Sequence, residues 1–185
     1  MQIKADGIVT GIQYSPSPNQ DERPDPTDIS GIVIHNISLP PGEFGGGWIN
    51  DLFLNKLDPS AHPYFKEIAH LRVSAHVLIR RNGEMIQYVP FYQRAWHAGV
   101  SQWDERDCCN DFTIGIEMEG CDEQVFEQIQ YQHLAELILA LCNHYPQLTP
   151  NRIKGHQDIA PDRKTDPGPY FDWALLANSL KQGMD

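Results

Sequence analysis

Asn82 and Gly83 constrain this chain more than any other pair of neighbours. They lie between two alternating runs, residues 75–80 and 84–90, and an Asn-Gly pair in that setting supplies the left-handed backbone of a tight antiparallel turn. A β-hairpin is therefore expected in mid-chain. Upstream, residues 32–34 (Ile-Val-Ile) are apolar and β-branched, as in a buried central strand, and residues 112–118 give a further strand. Residues 124–144 carry Phe126, Ile129, Leu134, Leu137, Ile138 and Leu141 near helical spacing, with Asp122 placed to cap the start. Shorter helices are expected at 48–54, 63–71 and 171–180. Strands interleaved with helices around a hairpin predict an α/β fold, a single domain with a central mixed β-sheet flanked by helices.

The chain has 185 residues, enough for one domain with its own core. Turn-forming residues crowd the first thirty positions (Ser15-Pro16-Ser17-Pro18, then Arg23-Pro24-Asp25-Pro26), so 1–30 reads as an irregular arm packed on a domain of 31–185. Residues 42–47 are glycine-rich, as suits a mobile loop beside a site. A formal net charge of −11 with no basic stripe excludes nucleic acid and an anionic membrane surface as partners. No run approaches the roughly 18 apolar residues of a membrane span. The first residues lack the apolar core of a signal peptide, so a cytoplasmic protein is expected. The four cysteines show no metal-knuckle spacing and read as reduced thiols, with Cys142 in the apolar stripe of the long helix.

Candidate chemistry concentrates in three places. Residues 155–168 pack His156, Lys164 and Asp166 into one loop bounded by glycine and proline. His35 ends the first buried strand, and Glu117 lies among apolar residues in the later one. Two imidazoles and a carboxylate form a three-ligand set that leaves zinc an open position for water, and a separate glutamate and lysine suit proton transfer and oxyanion stabilisation. Each residue also has an ordinary reading. His35 would be a hydrogen-bonded core histidine, Asp166 a turn former before Pro167-Gly168, and Lys164 a surface lysine. Strand alternation places Glu117 with Thr113, Gly115 and Glu119, opposite Phe112, Ile114 and Ile116. Buried and unpaired there, a carboxylate would have a raised pKa; the ordinary reading is a strand acid that faces solvent. Of the other histidines, His133 and His144 read as solvent-facing on the long helix, whereas His76 and His97 suit either support of a ligand shell or substrate or an ordinary hydrogen-bonded role.

Four blocks together resemble a known family. They are Ile32-Val33-Ile34-His35-Asn36; residues 73–79 with Gly83 and Val89-Pro90; Arg94-Ala95-Trp96-His97-Ala98-Gly99; and residues 110–117 with 155–168. The resemblance is to the zinc-dependent N-acetylmuramoyl-L-alanine amidases of peptidoglycan-recognition-protein type fold. Within them the chain is similar to the cytoplasmic branch that cleaves 1,6-anhydro-N-acetylmuramyl-L-alanine during cell-wall recycling. Many relatives complete the metal set with cysteine, whereas this chain carries Asp166 there, as that branch does.

The resemblance implies His35, His156 and Asp166 as zinc ligands, with Glu117 and Lys164 catalytic. It implies a small-molecule anhydro-muropeptide substrate and a monomer. Asn36, Arg72, Trp96 and His97 are the substrate-contact candidates, with Arg106 a weaker one. The competing expectations are a non-catalytic peptidoglycan-binding module, and an autolysin or phage-type lysin acting on intact murein.

Overall fold

Turn chemistry and apolar alternation sort the chain, in order, into β1 (Gln13–Tyr14), β2 (Gln20–Glu22), β3 (Gly31–Ile37), α1 (Trp48–Phe53), α2 (Phe65–Ile68), β4 (Val77–Ile79), β5 (Met85–Gln87) and β6 (Gln93–Ala95). The second half adds β7 (Gln102–Trp103), β8 (Arg106–Asp107), β9 (Thr113–Glu119), α3 (Gln128–His144), β10 (Ile153–Gly155), α4 (His156–Ile159) and α5 (Trp173–Gln182). These come from a computed structural model that describes residues 1–183. Six strands form one sheet in the order β1-β5-β4-β9-β3-β10. β3 runs parallel to both β9 and β10, and β4 runs parallel to β9; β5 is antiparallel to β4 and parallel to β1. The expected mixed sheet is thus present, and the expected hairpin joins β4 to β5. Gly83 holds φ +87° at its turn, where Glu84 N–H donates to Asn82 Oδ1 at 2.9 Å.

Alternation gives the sheet two unlike faces. Ile32, Ile34, Ile114, Ile116, Val77 and Ile79 pack against Leu134, Leu137, Ile138 and Leu141 of α3 and Leu176 and Leu180 of α5. Each fully buried Leu or Ile there contributes on the order of 2 kcal/mol, which fixes the helical layer to that face. On the other face Leu78 and Ile86 meet Ile49, Leu52 and Phe53 of α1 and Phe65 of α2. His35 and Glu117 belong to this second face.

Several expected boundaries move. The long helix begins at Gln128, not near 124, and its N-cap is Glu127, whose N–H donates to Gln130 Oε1 at 2.9 Å. Asp122 is not the cap, because its carboxylate accepts from Asn36 Nδ2 at 2.7 Å. The expected 63–71 helix contracts to the four residues of α2, and the last helix starts at Trp173 with Asp172 accepting from Leu175 N–H at 2.8 Å. β10 had no counterpart in the sequence reading. His133 is half-buried, with its Nδ1 2.7 Å from Gly83 O, pinning α3 to the hairpin turn, while His144 is exposed as expected. The cysteines are free thiols.

Within residues 1–30, β1 joins the main sheet and Ile3, Val9 and Ile29 enter the α3-side core. Arg23 is 4% exposed, and its guanidinium donates to the carbonyls of Phe91, Asn110, Asp111 and Thr113 at 2.9–3.2 Å. No described helix is long and apolar enough to cross a membrane.

Candidate active site

Three adjacent parallel strands deliver the chemistry to one end of the sheet. His35 pairs with Glu117 across the β3–β9 ladder, and β10, on the other side of β3, ends at Gly155, immediately before His156. The carboxyl ends of parallel strands are where such sheets bind ligands. The chain then returns, with Gln157 N–H donating to Asp166 O at 2.9 Å, and this brings Asp166 onto the two histidines.

His35 Nδ1, His156 Nδ1 and Asp166 Oδ2 form a nearly equilateral triangle, with edges of 3.0, 3.0 and 3.1 Å. A tetrahedral zinc bound at about 2.0–2.1 Å separates its ligand atoms by roughly 3.3 Å, so a few tenths of an ångström of expansion admits the ion. The proton positions agree. His156 Nε2 lies 3.0 Å from Ala98 O, an atom that only accepts, so the proton sits on Nε2 and Nδ1 turns a lone pair to the triangle. Acceptor atoms converging this closely repel one another unless a cation lies among them. The described residues that could hold a metal are therefore His35, His156 and Asp166.

Electrostatics support the same use. Burial, with the neighbouring His156 and Lys164, lowers the His35 pKa to about 4, so the imidazole is neutral at neutral pH and free to ligate. Burial alone would raise Asp166, but the two imidazoles against it outweigh that and hold its carboxyl below the usual range. Glu117 is the opposite case. Burial and then the Asp166 charge push its pKa well above the ordinary carboxylate range, with Lys164 opposing. It is 8% exposed, and its Oε2 has no hydrogen-bond partner among the described residues. An orphaned carboxylate oxygen beside a cation site is suited to accept a proton from water held there.

A cleft of about 680 Å³ opens over the triangle. His35, Glu117, His156, Lys164 and Asp166 line its polar end, and Leu39, Leu52, Phe53, Tyr64, Ile68 and Val73 form an apolar wall. Lys164 is half-buried.

The substrate-contact candidates divide. Trp96 lines the cleft with its Nε1–H donated to Asp21 at 3.1 Å, leaving its ring face for contact. Asn36 lines it too, but its amide hydrogens are committed to Asp122 Oδ1 (2.7 Å) and Pro167 O (3.0 Å), so only its carbonyl remains. His97 is half-buried and also lines the cleft, with its ring nitrogens 2.9 Å from His35 and 3.3 Å from Thr113. Arg72 is exposed, and its guanidinium folds back on the carbonyls of His70 and Leu71. Arg106 is taken up by an ion pair with Asp28 and by stacking on Phe112, 3.7 Å from the ring centroid.

Sequence reading missed three residues. Arg163 donates to the carbonyls of Ala98 (2.6 Å) and Val100 (2.7 Å) beside His156. Thr113 and Asn110 brace the 97–98 segment. Their only sequence signal was membership of the blocks that carry the family resemblance.

Comparison with known proteins agrees with this geometry. The N-acetylmuramoyl-L-alanine amidase family matches residues 25–169. The Escherichia coli 1,6-anhydro-N-acetylmuramyl-L-alanine amidase AmpD is 61% identical over 168 residues, covering 91% of each chain. A crystal structure of a selenomethionine AmpD derivative superposes with a TM-score of 0.94 at 56% identity, covering 97% of this chain and 99% of that one. The E. coli amidase AmiD, in complex with anhydro-N-acetylmuramic acid-L-Ala-D-γ-Glu-L-Lys, superposes with a TM-score of 0.60 at 28% identity, over 96% of this chain and 65% of that one. A family match across most of the sequence and near-identity of fold with such an enzyme lead to one conclusion: this chain belongs to the N-acetylmuramoyl-L-alanine amidase family.

Proposed function

We propose that the chain hydrolyses the amide bond between the lactyl group of 1,6-anhydro-N-acetylmuramic acid and L-alanine of the stem peptide, with zinc held by His35, His156 and Asp166. One observation carries the reading: two imidazoles and a carboxylate meet within 3.0–3.1 Å, one strand away from a buried glutamate with an unpaired oxygen. Bound there, zinc would acidify a water and polarise the scissile carbonyl. Glu117 takes the attacking water's proton and returns it to the departing amine of L-alanine, and its raised pKa suits both transfers. Lys164 brings its ammonium to the polar end of the cleft, where negative charge develops on the carbonyl oxygen. Trp96 and the apolar wall offer a flat surface for a sugar ring and exclude water from it.

The name of the 61%-identical relative supports the anhydro-sugar preference, and the bound ligand of AmiD supports a soluble muropeptide as substrate. On this reading the protein is a monomeric cytoplasmic recycling enzyme, and residues 1–30 are an arm of its one catalytic domain. The assembled triangle and free Glu117 favour catalysis over a binding-only module.

Two measurements test it. Metal analysis should find one zinc per chain, lost in His156→Ala; full zinc in that variant removes His156 from the ligand set. Soluble anhydro-muropeptide should be cleaved in preference to intact murein sacculi, with activity abolished by a chelator and restored by zinc. Faster release from sacculi would mean a wall-degrading amidase instead.

A further inference from the structure

We propose that His97 is a positioning residue: it fixes the tautomer of His35 so that the Nδ1 lone pair points at the metal triangle. The inference rests on the zinc reading above and adds a residue to it. Its basis is a hydrogen-bond chain that starts from a group able only to accept. Cys109 O can only accept, and Thr113 Oγ1 lies 2.7 Å from it, so the hydroxyl proton is spent there. The hydroxyl oxygen then accepts from His97 Nε2 at 3.3 Å, which puts the His97 proton on Nε2. His97 Nδ1 is left with a lone pair, 2.9 Å from His35 Nε2. His35 must therefore carry its proton on Nε2, and its Nδ1 is free for a metal. A neighbour that fixes the outer nitrogen of a ligating imidazole sets its tautomer and ring orientation.

The surroundings hold the chain in register. Asn110 Oδ1 accepts from the backbone N–H groups of both His97 (3.1 Å) and Ala98 (2.8 Å). Ala98 O in turn accepts from His156 Nε2 at 3.0 Å. Two consecutive residues, one through its ring and one through its carbonyl, thus orient both metal-facing imidazoles. Gly115 makes room for this: a Cβ there would lie 2.3 Å from His97 Cγ. With both ring nitrogens engaged, His97 acts through His35 and not on substrate.

The test compares His97→Asn with His97→Leu. The two replacements have the same shape, but only asparagine places an acceptor oxygen where Nδ1 stood. Zinc affinity of the metal-free proteins, titrated against a competing chelator, should fall about 10–100-fold in His97→Leu and stay within about threefold of wild type in His97→Asn. In the metal-free wild type, long-range ¹H–¹⁵N spectra should show His35 protonated at Nε2. Equal affinities in the two variants, or His35 protonated at Nδ1, overturn the proposal. So does a rise in KM alone with zinc affinity unchanged, which would make His97 a substrate contact. If His97→Leu fails to fold, Thr113→Val removes the next link at constant shape and should weaken zinc several-fold; unchanged affinity there overturns the chain. A wild type that binds no zinc would sink the zinc reading itself, and the two failures are thereby told apart.

Discussion

Replacing Glu117 by glutamine should move stability and catalysis in opposite directions. The side chain is 8% exposed and its Oε2 is unpaired, so folding strips an ionised carboxylate of water with little in return. That cost is what lifts its pKa well above the ordinary value, burial being the larger cause and the Asp166 charge the second. The sign follows directly. The folded state holds this proton more tightly than the unfolded chain, so the charge penalty is absent below the unfolded pKa. It grows by about 1.4 kcal/mol per pH unit until the folded pKa is passed. Glutamine removes the charge and buries a neutral amide where a neutral carboxyl of like shape would stand, so metal-free Glu117→Gln should melt above wild type at pH 7.5, each kcal/mol of gain reading as a Tm rise of roughly 2–4 °C for a chain of this length. The gain should vanish near pH 4 and shrink once zinc is bound, because the cation offsets the charge. Turnover on anhydro-muropeptide should fall about 10²–10⁴-fold with zinc retained. Calorimetry at both pH values, with kinetics and metal content on the same samples, decides the matter. A Tm equal to wild type at pH 7.5 would refute the argument that Glu117 is a desolvated charge, and near-wild-type turnover would refute its role as base.

Two other outcomes follow from the same structure. Lys164→Ala should keep its zinc and lose about 10²–10³-fold in turnover, the usual cost of removing one oxyanion donor, with Lys164→Arg restoring only part; steady-state kinetics showing a KM effect alone would move Lys164 to substrate binding. His76 is held neutral well below its ordinary pKa, by burial first and then by Arg23, so below about pH 6.5 the unfolded chain takes up a proton that the folded one refuses. Stability of the metal-free protein should therefore decline as pH falls from 6.5. Urea midpoints across pH 5–7.5 should show a slope shallower by up to about 1.4 kcal/mol per pH unit in His76→Gln, and matching slopes would count against a buried neutral His76.

What could be read in the sequence was whatever local physics decides. The hairpin at Asn82-Gly83, the apolar run ending at His35 and the stripe of the long helix are short-range signals, and the structure has all three. Alternation also put Glu117 on one face with Thr113, Gly115 and Glu119, as the β3–β9 register shows. The misses are places where a distant group overrides local preference. Asp122 has the chemistry of a cap, but its carboxylate is taken by Asn36, and the helix starts later, at Gln128 with Glu127 as its N-cap. β10 is three residues long with half-buried Ile153 and Lys154, too short and too mixed for alternation to reveal.

Convergence of the metal triangle was likewise beyond local reading. It depends on β3 lying between β9 and β10, an order of strands that no spacing encodes. The family resemblance filled that gap for the five residues proposed as ligands and catalytic groups. Arg23 shows the difference most clearly. In the sequence it sits in a proline-rich stretch and reads as loop, and its burial makes sense only once four carbonyls from two other stretches, Phe91 and residues 110–113, are seen to converge on it. The second of those stretches carries Asn110 and Thr113, which brace the 97–98 strip against both imidazoles. The turn-rich N-terminal stretch is thereby tied, through the Arg23 guanidinium and the carbonyls it reaches, to the layer that holds His35 and His156 in place.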